Sequence, residues 1–349
     1  LAPKAVEKAK IEAAAIQKVI NDSGESFELK PWDWAFYAEK VRAEKYDLDP
    51  ALVKPYFEMD SVIHDGLFFA MNKLYGITFK ERKDLPVYHE DVTAYEVFNA
   101  DGSAIGLFYL DPYAREGKRG GAWMSAYVSQ SGLKGTKPVI YNAQNIPKPA
   151  AGEPTLMTFD EVSTMFHEFG HAAHGLFSDV KYPSLAGTAT ARDFVEFPSQ
   201  ANEDRMIEPT VLANYAKHYK TGEPIPQALL DKVLASQKFN QGFGTTEYLA
   251  AALLDMEWHS FGSDKKITDV QKFESDALKA HGIDYYPVPP RYKSNYFSHT
   301  FAGGYSAGYY AYLWTEVFAA DAFAHMENNG GLTRKNGDKF RKEILSKGN

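Results

Sequence analysis

The 349-residue chain is 44% hydrophobic and 14% aromatic, enough apolar material for a large buried core, whether as one domain or two lobes. A net charge of −8 without any long Lys/Arg run argues against a nucleic-acid partner, and no apolar stretch of about 18 residues is available to span a membrane. Cysteine is absent, so disulfides and thiolate ligands are excluded, and any metal must be held by histidine and carboxylate.

The chain starts Leu1-Ala2-Pro3-Lys4, with neither an initiator Met nor the charged and apolar regions of a signal peptide, which leads us to expect that it begins inside a longer gene product. Lack of cysteine suits the cytoplasm or the periplasm, and we favour the cytoplasm. Residues 2–21 carry apolar residues at helical spacing and stop at Asn21-Asp22-Ser23-Gly24. Pro31 to Tyr46 predicts a second helix and 61–75 a third. The pattern then changes. Val92 to Phe98 alternates, Asn99-Ala100-Asp101-Gly102 reads as a turn, and Ala104 to Leu110 is β-rich, together a hairpin. Val139 to Ile146 reads as one more strand, and the Pro/Ala/Gly-rich 147–154 as a loop. From Thr158 onward helices are expected at 158–177, 193–206, 225–240, 244–261, 268–280, 303–327 and 333–346. The fold class is mostly α with a small β-sheet or hairpin insertion. Along the chain this gives a helical part (1–80), a β-containing segment (85–150), metal-site helices (155–206) and a helical remainder (207–349).

Residues 158–178 place Val162, Met165, Phe166, Phe169, Ala173 and Leu176 in an apolar stripe, the mark of an amphipathic helix. Within it stands His167-Glu168-Phe169-Gly170-His171. Imidazoles four apart lie one above the other on a helix face and can share one Zn²⁺, and the Glu beside the first can act as general base on a water. A third ligand is needed. His174 lies too far along the same helix from His167 to join a tetrahedral ion, and is read as a cap or an outer support. Glu196, 25 residues past His171 and flanked by Phe194 and Phe197, is the better donor. Glu203, seven further on, shares its helix face and can accept the ring N–H of a ligating histidine.

Met165-Phe166-His167-Glu168-Phe169-Gly170-His171-Ala172-Ala173-His174 and Ala191-Arg192-Asp193-Phe194-Val195-Glu196-Phe197-Pro198-Ser199-Gln200 resemble the thimet oligopeptidase family, and within it the bacterial peptidyl-dipeptidase branch. Matching segments run from Asp111-Pro112-Tyr113-Ala114-Arg115 and Lys118-Arg119-Gly120-Gly121-Ala122-Trp123-Met124 through His299 to Trp314. The resemblance implies a gluzincin-type catalytic region with one Zn²⁺ per chain, held by His167, His171 and Glu196, with Glu168 as base. It also implies two largely helical lobes flanking a deep channel that admits short peptides. Family members are about twice this length, so the N-terminal half of the same gene product is expected as a partner.

Residues 295–314 are rich in Tyr, Phe and Gly. Tyr305 and Tyr312, seven apart, are expected to share a helix face. A cluster of this kind is more often a packing interface, but the resemblance makes Tyr305 and Tyr312 transition-state donors and His299 a substrate contact. Gly303, Gly304, Tyr309 and Arg291 are further substrate-binding candidates, and Lys293 and Arg192 compete with Arg291 as the cation that anchors a substrate carboxylate. Gly120-Gly121-Ala122-Trp123 with the preceding strand is a candidate edge for an extended peptide. Three functions compete: release of C-terminal dipeptides, internal cleavage of short peptides, and peptide binding without catalysis.

Overall fold

The computed structural model describes residues 1–349, which form two compact units interleaved in sequence. The first unit joins Leu1–Asp49 to Pro226–Ala311, and the second joins Pro50–Ile225 to Tyr312–Asn349.

The first unit is helical. Its opening helix, Ala2–Asp22, buries Ala9, Ala13, Ile16 and Ile20. They pack with Trp34 and Ala38 of the next helix, Trp34–Tyr46. A long helix that we call the buttress, Gln241–His259, meets the opening helix so closely that a Cβ on Gly242 would lie 2.4 Å from the Ala9 nitrogen. The buried Glu12 carboxylate accepts the Gly242 and Phe243 amides at 3.0 and 2.8 Å. Those two N–H groups lie in the first turn of the buttress, where a helix has no internal acceptor for them.

The second unit is built on a five-stranded sheet: β1 (Thr78–Glu81), β2 (Thr93–Phe98), β3 (Ala104–Tyr113), β4 (Trp123–Val128) and β5 (Val139–Ile146), in the order β1-β2-β3-β5-β4. All pairs are antiparallel except β3 with β5. The expected hairpin is β2–β3. Its turn closes through Gly102 N–H to Asn99 O at 2.9 Å, with Gly102 in the left-handed region at φ 82°. Two strands, β1 and β4, escape the sequence reading. The expected edge is also corrected: β3 is an interior strand, and the free edge on that side of the sheet belongs to β4, which follows Gly121 instead of preceding it. The third expected helix is interrupted, running Met59–Ser61, a π-helical Val62–Phe68, and Phe69–Tyr75.

The motif helix, Phe159–Phe177, lies on this sheet. Thr158 and Glu161 cap it reciprocally: Thr158 Oγ1 accepts the Glu161 amide at 3.1 Å, and Glu161 Oε2 accepts the Thr158 amide at 2.7 Å. Its apolar stripe meets the strands, with the Phe169 ring 5.1 Å from that of Phe108 and 5.7 Å from that of Phe79. At Gly175 a Cβ would come within 2.8 Å of both Ile140 and Met124. No helix is long and apolar enough to cross a membrane.

Candidate metal centre

Burying the stripe of the motif helix leaves His167 and His171 on one side, their rings 5.0 Å apart and at 84° to each other. The segment that returns past them is not the single helix expected at 193–206. It is a turn of helix, Arg192–Val195, then Phe197–Glu203, then a 3₁₀ turn, Asp204–Ile207. Asp193 leaves helical geometry (φ −81°, ψ 19°), and Pro198 suits the first turn of the second piece, where its missing N–H is not needed. Glu196 is the joint between the pieces. Close approach of the two helices depends on Gly170, where a Cβ would stand 2.6 Å from Pro198 O and Ser199 Cα. Asn202 Nδ2 donates to Phe166 O at 2.7 Å across the same contact.

Glu196 Oε2 consequently lies 3.2 Å from His167 Nε2 and 3.0 Å from His171 Nε2. The three ligand atoms lie within 4.8 Å of one another. Ligands about 2.0–2.1 Å from a tetrahedral ion stand roughly 3.3 Å apart, so the trio needs little movement to hold one. The donor set, two imidazoles and a carboxylate, suits zinc. Electrostatics agrees with a site built for positive charge. Burial works to raise the Glu196 carboxyl, yet the two histidines hold it well below the usual range. Burial works to lower His167, yet hydrogen bonds to Glu196 and Glu203 hold it well above the ordinary histidine value.

Around the trio, Glu203 Oε1 lies 2.6 Å from His167 Nδ1. With a proton held on Nδ1 by Glu203, the Nε2 nitrogen, once it gives up its own proton, would offer its lone pair to a metal at the common centre. Ser199, which the sequence reading passed over, donates to Glu196 Oε2 at 3.0 Å or to Glu196 O at 2.8 Å. Its signal was the short spacing from Glu196, one helical turn. Glu168 is 6% exposed and outside the trio; its Oε2 meets no protein donor, and burial pushes its carboxyl up. His174 corrects its expectation as a cap. The cap residue is Ser178, while His174 is fully buried with neither ring nitrogen hydrogen-bonded to protein, and burial pushes it down to about 4.

Asp204, next to Glu203, supplies a stability test. Burial pushes its carboxyl up to about 6, Glu203 and Glu316 add to the shift, and Arg205 opposes it. The folded state therefore holds this proton more tightly than the unfolded state does. Its contribution is full below the unfolded value and is lost as pH rises through about 6. Asp204→Asn is expected to stabilise the protein by about 1–2 kcal/mol at pH 8, after discounting for partial exposure, and by little at pH 4. Denaturant midpoints at the two pH values check it; equal gains at both would contradict the assignment.

The tyrosine-rich segment departs most from expectation. After a short helical turn, Ser298–Phe301, helix resumes only at Ala311 (Ala311–Asn328), so Tyr305 and Tyr312 do not share a helix face. Tyr305 sits in a non-helical loop broken by two left-handed residues, Gly304 (φ 81°) and Ala307 (φ 52°). Tyr312 falls in the unit that holds the trio, and Gln200 Nε2 donates to its carbonyl at 2.9 Å. His299, Gly303, Gly304, Tyr305, Tyr309 and Arg291 fall in the other unit. Tyr309 is 2% exposed, its ring packed on Phe297, Tyr248 and Tyr292, the place of a core residue. Arg291 pairs with Glu247 Oε1 at 3.0 Å and hydrogen-bonds Tyr309.

Comparison with known proteins gives this geometry its context. The whole chain, residues 1–349, matches peptidase family M3. It is 52% identical to the dipeptidyl carboxypeptidase of Escherichia coli (strain K12) over 349 residues, 100% of this chain and 51% of that protein. It is 50% identical to the dipeptidyl carboxypeptidase of Salmonella typhimurium over the same 349 residues, again 51% of that protein. Oligopeptidase A of E. coli is 40% identical over 325 residues, 92% of this chain and 48% of that protein. The chain thus spans about half the length of the curated relatives it matches. With a metal-ligand trio in place on the motif helix and a family match along its full extent, the chain belongs to peptidase family M3, a family of metallopeptidases.

Proposed function

We propose that this chain is the metal-binding part of a bacterial zinc peptidase that releases dipeptides from the C-termini of short peptides. The observation that carries the reading is the convergence of His167, His171 and Glu196 on one point, with Glu203 on the outer nitrogen of His167. Zinc bound there would polarise the scissile carbonyl and acidify a water. Glu168 takes the proton of the attacking water and passes it to the leaving amine. Tyr312 and Tyr305 donate hydrogen bonds to the tetrahedral oxyanion, and His299 contacts the substrate, roles that rest on the resemblance. Peptide pairing along the free edge of β4 would align the substrate. The remainder of a relative-length polypeptide would be the principal partner of these 349 residues.

Release of C-terminal dipeptides is favoured because the relatives at 52% and 50% identity carry the name dipeptidyl carboxypeptidase. Internal cleavage is the second reading, favoured by oligopeptidase A at 40%. A panel of peptides with free and amidated C-termini separates them: an exopeptidase frees C-terminal dipeptides and loses most activity on amides. Equal cleavage of both, at internal bonds, would replace the first reading with the second.

Glu203→Ala is expected to weaken zinc affinity by about 10–100-fold, because it removes the acceptor that orients His167 without removing a ligand. Chelator competition measures this, and an unchanged affinity would reduce Glu203 to a solvated surface carboxylate.

A further inference from the structure

The loop from Ala302 to Tyr310, between the short helix Ser298–Phe301 and the helix Ala311–Asn328, carries the tyrosine to which the proposed chemistry assigns a hydrogen bond, yet it lacks regular structure and contains an alanine at φ 52°. A left-handed conformation costs an L-residue roughly 1–2 kcal/mol, so something must impose it. The buttress helix provides the cause. Asp255 is 0% exposed; its Oδ1 accepts the Ala307 amide at 2.9 Å, and its Oδ2 accepts the Gly308 and Tyr309 amides at 2.8 Å each. Three successive N–H groups converging on an anion form a backbone nest, and here the anion is a carboxylate of the same chain. Hydrogen bonds to an ionised acceptor are about twice as strong as neutral ones, which is how a buried charge is tolerated.

Neighbouring contacts extend the clamp. His259 Nδ1 stands 3.1 Å from Asp255 Oδ1. Tyr248, two turns earlier on the buttress, donates its hydroxyl to Tyr309 O at 2.7 Å. Within the loop, Ser306 Oγ donates to Thr300 O at 2.7 Å, and Tyr305 N to His299 O at 3.0 Å. His299 and Tyr305 are therefore tied to each other, and the residues after Tyr305 are tied to one buried carboxylate.

We propose that Asp255 is a positioning residue for the peptidase reaction: by gathering the amides of residues 307–309 it fixes the loop that presents Tyr305, without itself meeting substrate. The inference rests on the reading that Tyr305 acts on the reacting peptide.

The test is Asp255→Asn, which keeps the shape and removes the charge. In the 349-residue chain, amide exchange at Ala307, Gly308 and Tyr309 should accelerate at least about tenfold, with the motif-helix amides and zinc content unchanged. In a peptide-hydrolysing preparation kcat should fall on the order of 100-fold with KM nearly constant, the signature of misplaced but still bound chemistry. In a Tyr305→Phe background the same substitution should cost less than about threefold, because both changes remove one interaction. Unchanged exchange, or full multiplication of the two losses, overturns the proposal. Tyr305→Phe with near-normal kcat sinks the tyrosine's role instead, and the exchange measurement still decides whether Asp255 holds the loop. Should Asp255→Asn fail to fold, Ala307→Val, which is incompatible with φ 52°, should give the same kcat-only loss; normal kcat in that variant overturns the proposal.

Discussion

Glu168→Gln is expected to lower kcat for peptide hydrolysis by about 10²–10⁴-fold while zinc stays bound, the range general acid–base groups supply. The structure separates this carboxylate from the binding function. Glu168 is outside the group of three donors, it is 6% exposed, and its Oε2 accepts no hydrogen bond from the protein. Burial raises its carboxyl, which makes it a better proton acceptor than an exposed glutamate at neutral pH. Glutamine keeps the volume and polarity and deletes only the basicity. Zinc content by elemental analysis and kcat by peptide assay are both required. A variant that keeps its metal and works within tenfold of the parent would exclude Glu168 as the base.

Glu196→Ala is expected to have the larger effect on the metal. Without it, two neutral imidazoles remain, and the only charged group among the three ligands is gone. The same carboxylate is 2% exposed and contacts both histidines, so its loss also removes one of the ties between the return segment and the motif helix. Distributing an apparent structural-zinc free energy over its ligands puts the loss at roughly three orders of magnitude in affinity. Dialysis against a weak chelator should empty Glu196→Ala while Glu203→Ala retains much of its zinc. The reverse order would mean that the two glutamates exchange roles.

The sequence made the candidate donor trio readable because a helix fixes the geometry of residues four apart, and because an apolar stripe showed which way that helix faces. Glu196 was reachable by spacing, but the kink that aims it was not. A 3.6-residue period cannot show that Asp193 departs from helical geometry or that the helix restarts at Phe197. β1 and β4 were invisible for a related reason. Both lie at the sides of the sheet with largely solvent-facing residues, so neither shows the strict alternation of a half-buried strand. The tyrosine segment misled because Tyr305 and Tyr312, seven apart, suit one helix face until tertiary bonds to Asp255 hold the backbone elsewhere. Asp255 itself sits in an apolar helical stretch, where a lone carboxylate carries no signal of the loop it gathers.

The interleaving of the two units reaches back to the ribosome. The opening helix leaves the exit tunnel with Ala9, Ala13, Ile16 and Ile20 ready to be covered, but the Gly242 and Phe243 amides that close on Glu12 are not yet synthesised. Residues 50–225 must be translated first, which at about 5–20 residues per second takes on the order of ten to thirty seconds. For that interval the nascent chain carries an amphipathic helix covered only by the helix Trp34–Tyr46, while the second unit still waits for its own segment Tyr312–Asn349. Such a helix is a natural binding site for a ribosome-associated chaperone. Synonymous codons that slow translation between residues 50 and 225 would lengthen its exposure without changing a single contact in the finished protein.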